Sequence, residues 1–261
     1  MVRSSEFVTC EITDGAAVVR IDRPPVNALS LQVLQELRGI FTDLAALPQV
    51  LVVIITGAGE KIFVAGADID GLKELTPETG KTVNGMYQLT FNQIADFHRP
   101  VICAVNGLAL GGGAELALAC DIRIAAEHSS FSWPEVNLGL IPAGGGTQRL
   151  GRQISMAKAK ELIFTGRRLT AVEAESIGLI NQVVPQGEAL SAAKEMARLI
   201  AAKGPVAVAQ AKKAMNQGLE LPLQEGFALE LELSAACFGT QDAKEGISAF
   251  FGKRTPEFKG V

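Results

Sequence analysis

VICAVNGLALGGGAELALACDIRIAAEHSSFSWPEVNLGLIPAGGGTQRL, residues 101–150, is the stretch on which the reading of this chain turns. Val101 to Val105 is a continuous apolar run, the pattern of a strand covered on both faces. Asn106-Gly107 ends it, and Gly111-Gly112-Gly113 then opens a helix that is apolar all round except for Glu115. A helix of that kind is buried, and a buried carboxylate is costly unless it is paired or used. A second glutamate, Glu135, follows in a Trp-Pro-Glu turn, and a second glycine cluster follows at Gly144-Gly145-Gly146.

Working outward, the same grammar recurs. Phe7 to Asp22 alternates apolar and polar residues about Asp14-Gly15, which predicts a hairpin. Arg23-Pro24-Pro25 stops it, and Ser30 can cap a helix to about Ala46 with Leu34, Leu37, Phe41 and Leu44 on one face. Val50 to Thr56 is another doubly covered strand, followed by a loop at Val64 to Ile69 and a helix from about Gly80 to Phe97. Asp121 to Ala125 gives a further strand. After Gly151 the pattern is helical: 155–164, 170–177, 190–202, 205–216, 223–238 and 241–250. Thr170-Ala171-Val172-Glu173 is a capping box, and Pro205 suits a first helical turn. The fold class is therefore α/β, with a helical C-terminal extension and no low-complexity linker.

Composition narrows the function. With 48% hydrophobic and 20% charged residues the chain can bury a sizeable core, and a net charge of −4 gives no general attraction to nucleic acid or an anionic membrane. The beginning of the chain has no apolar core of signal-peptide length, and no run is long enough to span a bilayer. Cys10, Cys103, Cys120 and Cys237 are far apart and read as reduced, buried residues, which makes the cytoplasm the expected compartment. Two histidines, His98 and His128, leave little material for a His-based triad or a metal centre, and no GxSxG, HExxH or P-loop is present. The glycine clusters do not spell GxGxxG, so a dinucleotide-binding reading fails on spacing.

What remains is a pair of carboxylates beside glycine loops. Glycines at a helix start leave free N–H groups facing outward, so Gly112 is placed to donate to a developing oxyanion. Ala65-Gly66-Ala67, after another buried strand, can supply a second donor. Two such amides make an oxyanion hole suited to a thioester enolate. Glu115 and Glu135 would supply acid and base beside it, burial and mutual repulsion holding one proton on the pair near neutral pH.

At these residues the chain resembles the crotonase (enoyl-CoA hydratase/isomerase) superfamily. The resemblance runs from Phe7 to Phe258 and rests on Arg23-Pro24-Pro25-Val26-Asn27-Ala28-Leu29, Ala65-Gly66-Ala67-Asp68-Ile69, Ala104-Val105-Asn106-Gly107 and Gly111-Gly112-Gly113-Ala114-Glu115-Leu116. It continues through Pro134-Glu135, Gly144-Gly145-Gly146-Thr147-Gln148-Arg149-Leu150 and Glu245-Gly246 to Lys253-Arg254. It implies a spiral of strand-strand-helix repeats over residues 1–195 that carries the active site. A helical region over 196–261 would pack subunits into trimers or hexamers. The implied substrate is an acyl-CoA thioester, its carbonyl held by the N–H groups of Ala67 and Gly112. CoA would lie along Arg23, Ala28, Ala65, Gly66, Asp68 and Ile69, with Phe250 and Lys253 reaching CoA on a neighbouring subunit. Both glutamates are present, as in the hydratases of the family. The implied reaction is syn addition of water to a trans-2-enoyl-CoA, as in fatty-acid β-oxidation and related acyl-CoA degradation. No metal or other cofactor is implied.

Two positions depart from the family pattern. Ala143 stands where a glycine N–H usually helps to hold the water, and a left-handed backbone there would be strained. Phe131-Ser132-Trp133 replaces the usual Phe-Gly before Pro-Glu, so Trp133 is expected to narrow or redirect the acyl pocket. The competing readings are enoyl-CoA isomerisation, a specialised 3-hydroxyacyl-CoA dehydration, or an RNA-binding relative; the acidic balance argues against the last.

Overall fold

The computed structural model describes residues 2, 5–68 and 74–261. In chain order the elements begin with β1 (Val8–Thr13), β2 (Ala16–Ile21), α1 (Leu31–Ala45), β3 (Val52–Gly57), β4 (Ile62–Ala65) and α2 (Pro77–Ala95). They continue with β5 (Val101–Val105), β6 (Leu108–Leu110), α3 (Gly112–Ala119), β7 (Ile122–Ala126), β8 (Ser130–Ser132), α4 (Gly146–Gln153) and α5 (Met156–Thr165). The rest are β9 (Leu169–Thr170), α6 (Ala171–Ser176), β10 (Gln182–Val184), α7 (Ala189–Ala201), α8 (Pro205–Gly218), α9 (Leu223–Phe238) and α10 (Gln241–Phe251).

β1 and β2 pair antiparallel, and both turn residues are left-handed, Asp14 at φ 50° and Gly15 at φ 78°. That sense matches the twist of the strands it joins. β2 then pairs parallel with β3, and the larger sheet has the order β1-β2-β3-β5-β7-β10. A second sheet has the order β4-β6-β8-β9. Each turn of the chain thus places one strand in the first sheet and one in the second: β3 then β4, β5 then β6, β7 then β8. A helix follows the first two of these pairs, and the result is a spiral of strand-strand-helix units.

The continuous apolar runs are explained by cover on both faces. On β3 and β5, Val53, Ile55, Val101, Cys103 and Val105 face the main core, while Val52, Ile54, Ile102 and Ala104 face α7. Ala189, Ala193 and Ala197 form the buried stripe of α7. Their small side chains at helical spacing let the helix lie close on the sheet. The division expected after residue 195 falls inside this helix, which packs against the sheet along its length. α8 is tied back to the core by Lys212, whose Nζ donates to Asp121 Oδ2 at 2.8 Å and to Arg99 O at 3.1 Å. Asn216 Nδ2 adds a bond to Ala95 O at 3.2 Å.

Apart from α4 (Gly146–Gln153), which the sequence reading did not anticipate, helix positions match expectation closely, from the Ser30 cap, whose Oγ accepts from Val33 N–H, to the last three helices. The second sheet was not anticipated. Val64 and Ala65, expected in a loop, belong to β4. β6 and β8 are three residues each, too short for alternation to register, and they exist because they pair with each other. That sheet positions the site. β4, β6 and β8 run parallel, and their C-terminal ends lead into Gly66-Ala67, Gly111-Gly112 and Trp133-Pro134-Glu135. Ligand sites of parallel sheets form at that end of the strands.

Candidate active site

Two backbone amides lie side by side, at Ala67 and Gly112. Leu29 brackets Ala67, accepting from Asp68 N–H at 3.1 Å and donating to Gly66 O at 2.9 Å. Gly66 takes φ 88° to make the turn. A Cβ built on Gly112 would stand 3.7 Å from Ala67 N, so the two amides are neighbours. Among the described residues neither of these N–H groups donates to a protein acceptor. Tyr87 braces the pair from α2: its hydroxyl donates to Leu29 O at 2.6 Å. Burial, with the Glu115 and Asp68 carboxylates nearby, pushes that phenol far above its ordinary range. Gly113 lets α3 start directly against β4, since a Cβ there would meet Val64 O at 2.1 Å.

Glu115 is 3% exposed on an eight-residue helix buried at every position. Its Oε1 accepts from Gly146 N–H at 2.7 Å, and the Gly144 N–H also donates to the carboxylate. Burial nevertheless dominates, and the carboxyl is pushed up to about 7. The Gly146 N–H opposes the shift, the Glu135 charge adds to it, and the Gly144 N–H and Arg149 oppose it. Arg149 is held by Asn92, whose Oδ1 accepts from Nη2 at 2.6 Å.

Glu135 lies in a 3-10 turn, Pro134–Leu138, directly after β8. Its Oε1 leans over Gly111, 2.7 Å from where a Cβ would stand, and Gly111 has φ 49°. Its Oε2 is buried without a hydrogen-bond partner among the described residues. Burial raises this carboxyl too. The two acids therefore differ in kind: Glu115 is clasped by two amides, and Glu135 keeps one oxygen uncommitted. The Glu135 charge adds to the rise at Glu115, while burial alone raises Glu135.

Ala143 carries no strain. The left-handed positions in its neighbourhood are Gly139 at φ 71° and Gly145 at φ 119°, and Ala143 is not among them. Its carbonyl accepts from Gln88 Nε2 of α2 at 2.9 Å, which orients the peptide whose other end is the Gly144 N–H. Trp133 is fully buried and its indole N–H has no acceptor among the described residues.

Arg23 pairs with Asp68, Nη2 to Oδ2 at 2.6 Å, and donates from Nη1 to Ala28 O at 3.3 Å. Arg23, Ala28, Ala65, Gly66 and Asp68 are thus gathered on the Ala67 side of the amide pair. Ile69 lies outside the described residues. Phe250 is 79% exposed near the end of α10, and Lys253 follows that helix with φ 51°. Among the described residues no hydrogen bond, ion pair or ring contact joins either to the other site residues. Sequence reasoning missed Tyr87, Gln88 and the role of Gly144 and Gly146 as donors to Glu115. The glycine cluster before a helix was the available signal, since such amides have no intrahelical acceptor.

The chain matches the family model for enoyl-CoA hydratase/isomerase over residues 11–261. It is 45% identical over 251 residues to a short-chain-enoyl-CoA hydratase of Clostridium acetobutylicum, covering 96% of each chain. It is 42% identical to a crotonyl-CoA hydratase of Syntrophomonas wolfei over 97% of this chain and 98% of that one. The crystal structure of an enoyl-CoA hydratase from Bacillus anthracis superposes with a TM-score of 0.95 at 42% identity, covering 98% of this chain and 100% of that one.

Proposed function

The chain belongs to the enoyl-CoA hydratase/isomerase family, and from that premise we propose that it adds water to a trans-2-enoyl-CoA, giving the 3-hydroxyacyl-CoA. The observation that carries this reading is the meeting of two uncommitted backbone amides, at Ala67 and Gly112, with a buried carboxylate, Glu115, and a half-buried one, Glu135. The amides take the thioester oxygen, and their hydrogen bonds strengthen as negative charge develops on it.

Water lies between Glu115 and the Ala143 N–H. Glu115, fixed by the Gly144 and Gly146 amides, accepts a proton from the water as its oxygen bonds to C3. The C2=C3 electrons move into the thioester to form the enolate. Glu135, with Oε2 unpartnered, delivers a proton to C2 as the enolate collapses. Proton exchange between the two carboxyls restores the starting state. Every step uses groups of the chain itself, so the reading calls on no metal or cofactor.

CoA runs past Arg23, Ala28, Ala65, Gly66, Asp68 and Ile69. The exposed apolar residues Leu219, Leu223, Phe227, Leu231, Phe238 and Phe251 on and beside α8, α9 and α10 support assembly into trimers or paired trimers. Phe250 and Lys253 would then serve a neighbour's CoA. Among the described residues no helix is long and apolar enough to cross a membrane. Four unbridged cysteines support a cytoplasmic location.

The test is the loss of enoyl-thioester absorbance with crotonyl-CoA. Wild type should consume it rapidly. Glu115→Gln and Glu135→Gln should each lose about a thousandfold or more in kcat with folding and CoA binding retained. Turnover near wild type in either variant would overturn the assignment.

A further inference from the structure

Trp133 is the largest fully buried side chain among the described residues, and it stands across Gly146 from the reacting carboxylate. A Cβ placed on Gly146 would have Pro142 Cβ at 2.8 Å, Glu115 Oε1 at 2.9 Å and Trp133 Cδ1 at 3.1 Å. Indole and carboxylate therefore meet across one glycine. The amide end of the site has different neighbours: Leu29 and Tyr87 surround Gly112, and Glu135 leans on Gly111. Around Glu115 stand Phe91, whose ring edge borders Gly144, with Pro142 and Trp133.

On the hydratase reading, on which this inference rests, the thioester carbonyl occupies the amide end and C3 meets water at Glu115. Acyl carbons beyond C3 must then run toward the second group of residues. A second observation sets this indole apart from ordinary packing. Its Nε1–H is buried without an acceptor among the described residues, whereas a tryptophan placed only to fill a core usually finds one. That donor gives the protein no hydrogen bond in exchange for its desolvation, so packing stability alone does not account for the indole at this place.

We infer that Trp133 is a specificity-determining residue that ends the acyl pocket and restricts the substrate to short enoyl groups. The backbone that carries the indole is fixed between β8 and Pro134. An apolar pocket discriminates roughly tenfold or more for each methylene it cannot accommodate, so the effect accumulates along a homologous series.

The experiment measures kcat/KM for crotonyl-, hexenoyl-, octenoyl- and decenoyl-CoA in wild type, Trp133→Leu and Trp133→Phe. In wild type the value should fall about a hundredfold or more from crotonyl to decenoyl. Trp133→Leu should gain about tenfold or more on decenoyl-CoA while losing on crotonyl-CoA, with Trp133→Phe between them. Equal use of crotonyl- and decenoyl-CoA by wild type overturns the inference. So does a parallel fall at every length in both variants, the mark of a structural role. Wild type inert toward all four would overturn the hydratase reading instead. Pocket length would then be read from binding of butyryl- against decanoyl-CoA, where preference for the shorter supports a stop at Trp133 and preference for the longer refutes it.

Discussion

The two glycine triplets, Gly111–Gly113 and Gly144–Gly146, look alike in sequence and do opposite things in space. Each leads into a short helix, α3 and α4. At the first, the Gly112 N–H has no acceptor among the described residues and Gly112 lies beside the Ala67 amide. At the second, the Gly144 and Gly146 amides are spent on Glu115, a side chain carried by the helix that the first triplet opens. One loop offers its donors to a ligand, and the other uses them to set the orientation and charge of a protein group. The lesson is that a helix N-terminus is a donor set whose use depends on what tertiary structure brings to it.

The contrast can be broken most severely by adding a single methyl group to each loop. Gly113→Ala would drive a Cβ to 2.1 Å from Val64 O, a strand carbonyl that cannot move without β4. The expected loss is about 3 kcal/mol or more of stability, seen as a large drop in melting temperature or in soluble yield. Gly144→Ala meets the end of a side chain instead, Glu115 Oε2 at 2.6 Å. That variant should fold and melt near wild type, yet lose about a hundredfold or more in kcat as the base is displaced. A Gly144→Ala protein that fails to fold while Gly113→Ala folds normally would invert the comparison.

Charge sharpens the same contrast. The Glu115 carboxyl is raised from 4.5 to about 7 in the folded protein, so between those values the native state holds more protons than the unfolded chain. Stability from this group is therefore greatest below the unfolded value and is lost as pH rises toward about 7. Glu115→Gln removes that dependence. Its stability relative to wild type should climb between about pH 4.5 and 7, by on the order of 3 kcal/mol, and level off above. Denaturant melts across that range would measure it, and a flat difference would show that burial does not govern this carboxyl. For activity the sign is reversed. Glu115 must be ionised to accept a proton, so kcat/KM should fall as pH drops below about 7.

The smallest effect is expected at Gln88. Its bond to Ala143 O is exposed, and it acts on Glu115 only by orienting the peptide that bears the Gly144 N–H. Gln88→Ala should lower kcat by about three- to tenfold with little change in KM, in keeping with one solvent-accessible hydrogen bond. A larger loss would place more of the Glu115 orientation in α2 than in the second glycine loop.

Much of this was legible before the structure. A glutamate inside Ala114-Glu115-Leu116-Ala117 is a misfit that flags itself, because an apolar helix has no other reason to carry a charge. Gly111 to Gly113 announce a helix start open to a ligand. The donors to Glu115 were not legible, since Gly146 lies 31 residues from it and nothing local says which amide will arrive. Strain at Ala143 was foreseen only for a left-handed backbone there, and the left-handed turns nearby fall on Gly139 and Gly145 instead.

By itself the sequence determined the helices with their caps, the doubly covered strands β3 and β5, the two acids and the glycine loops, because each depends on residues a few positions apart. Only the tertiary structure decided that three short parallel strands would form a second sheet, which amides would stay free and which would be spent on Glu115, and that Trp133 would close against it. Those outcomes depend on pairing between segments tens of residues apart, whose backbone groups are chemically identical until the fold assigns each one its partner.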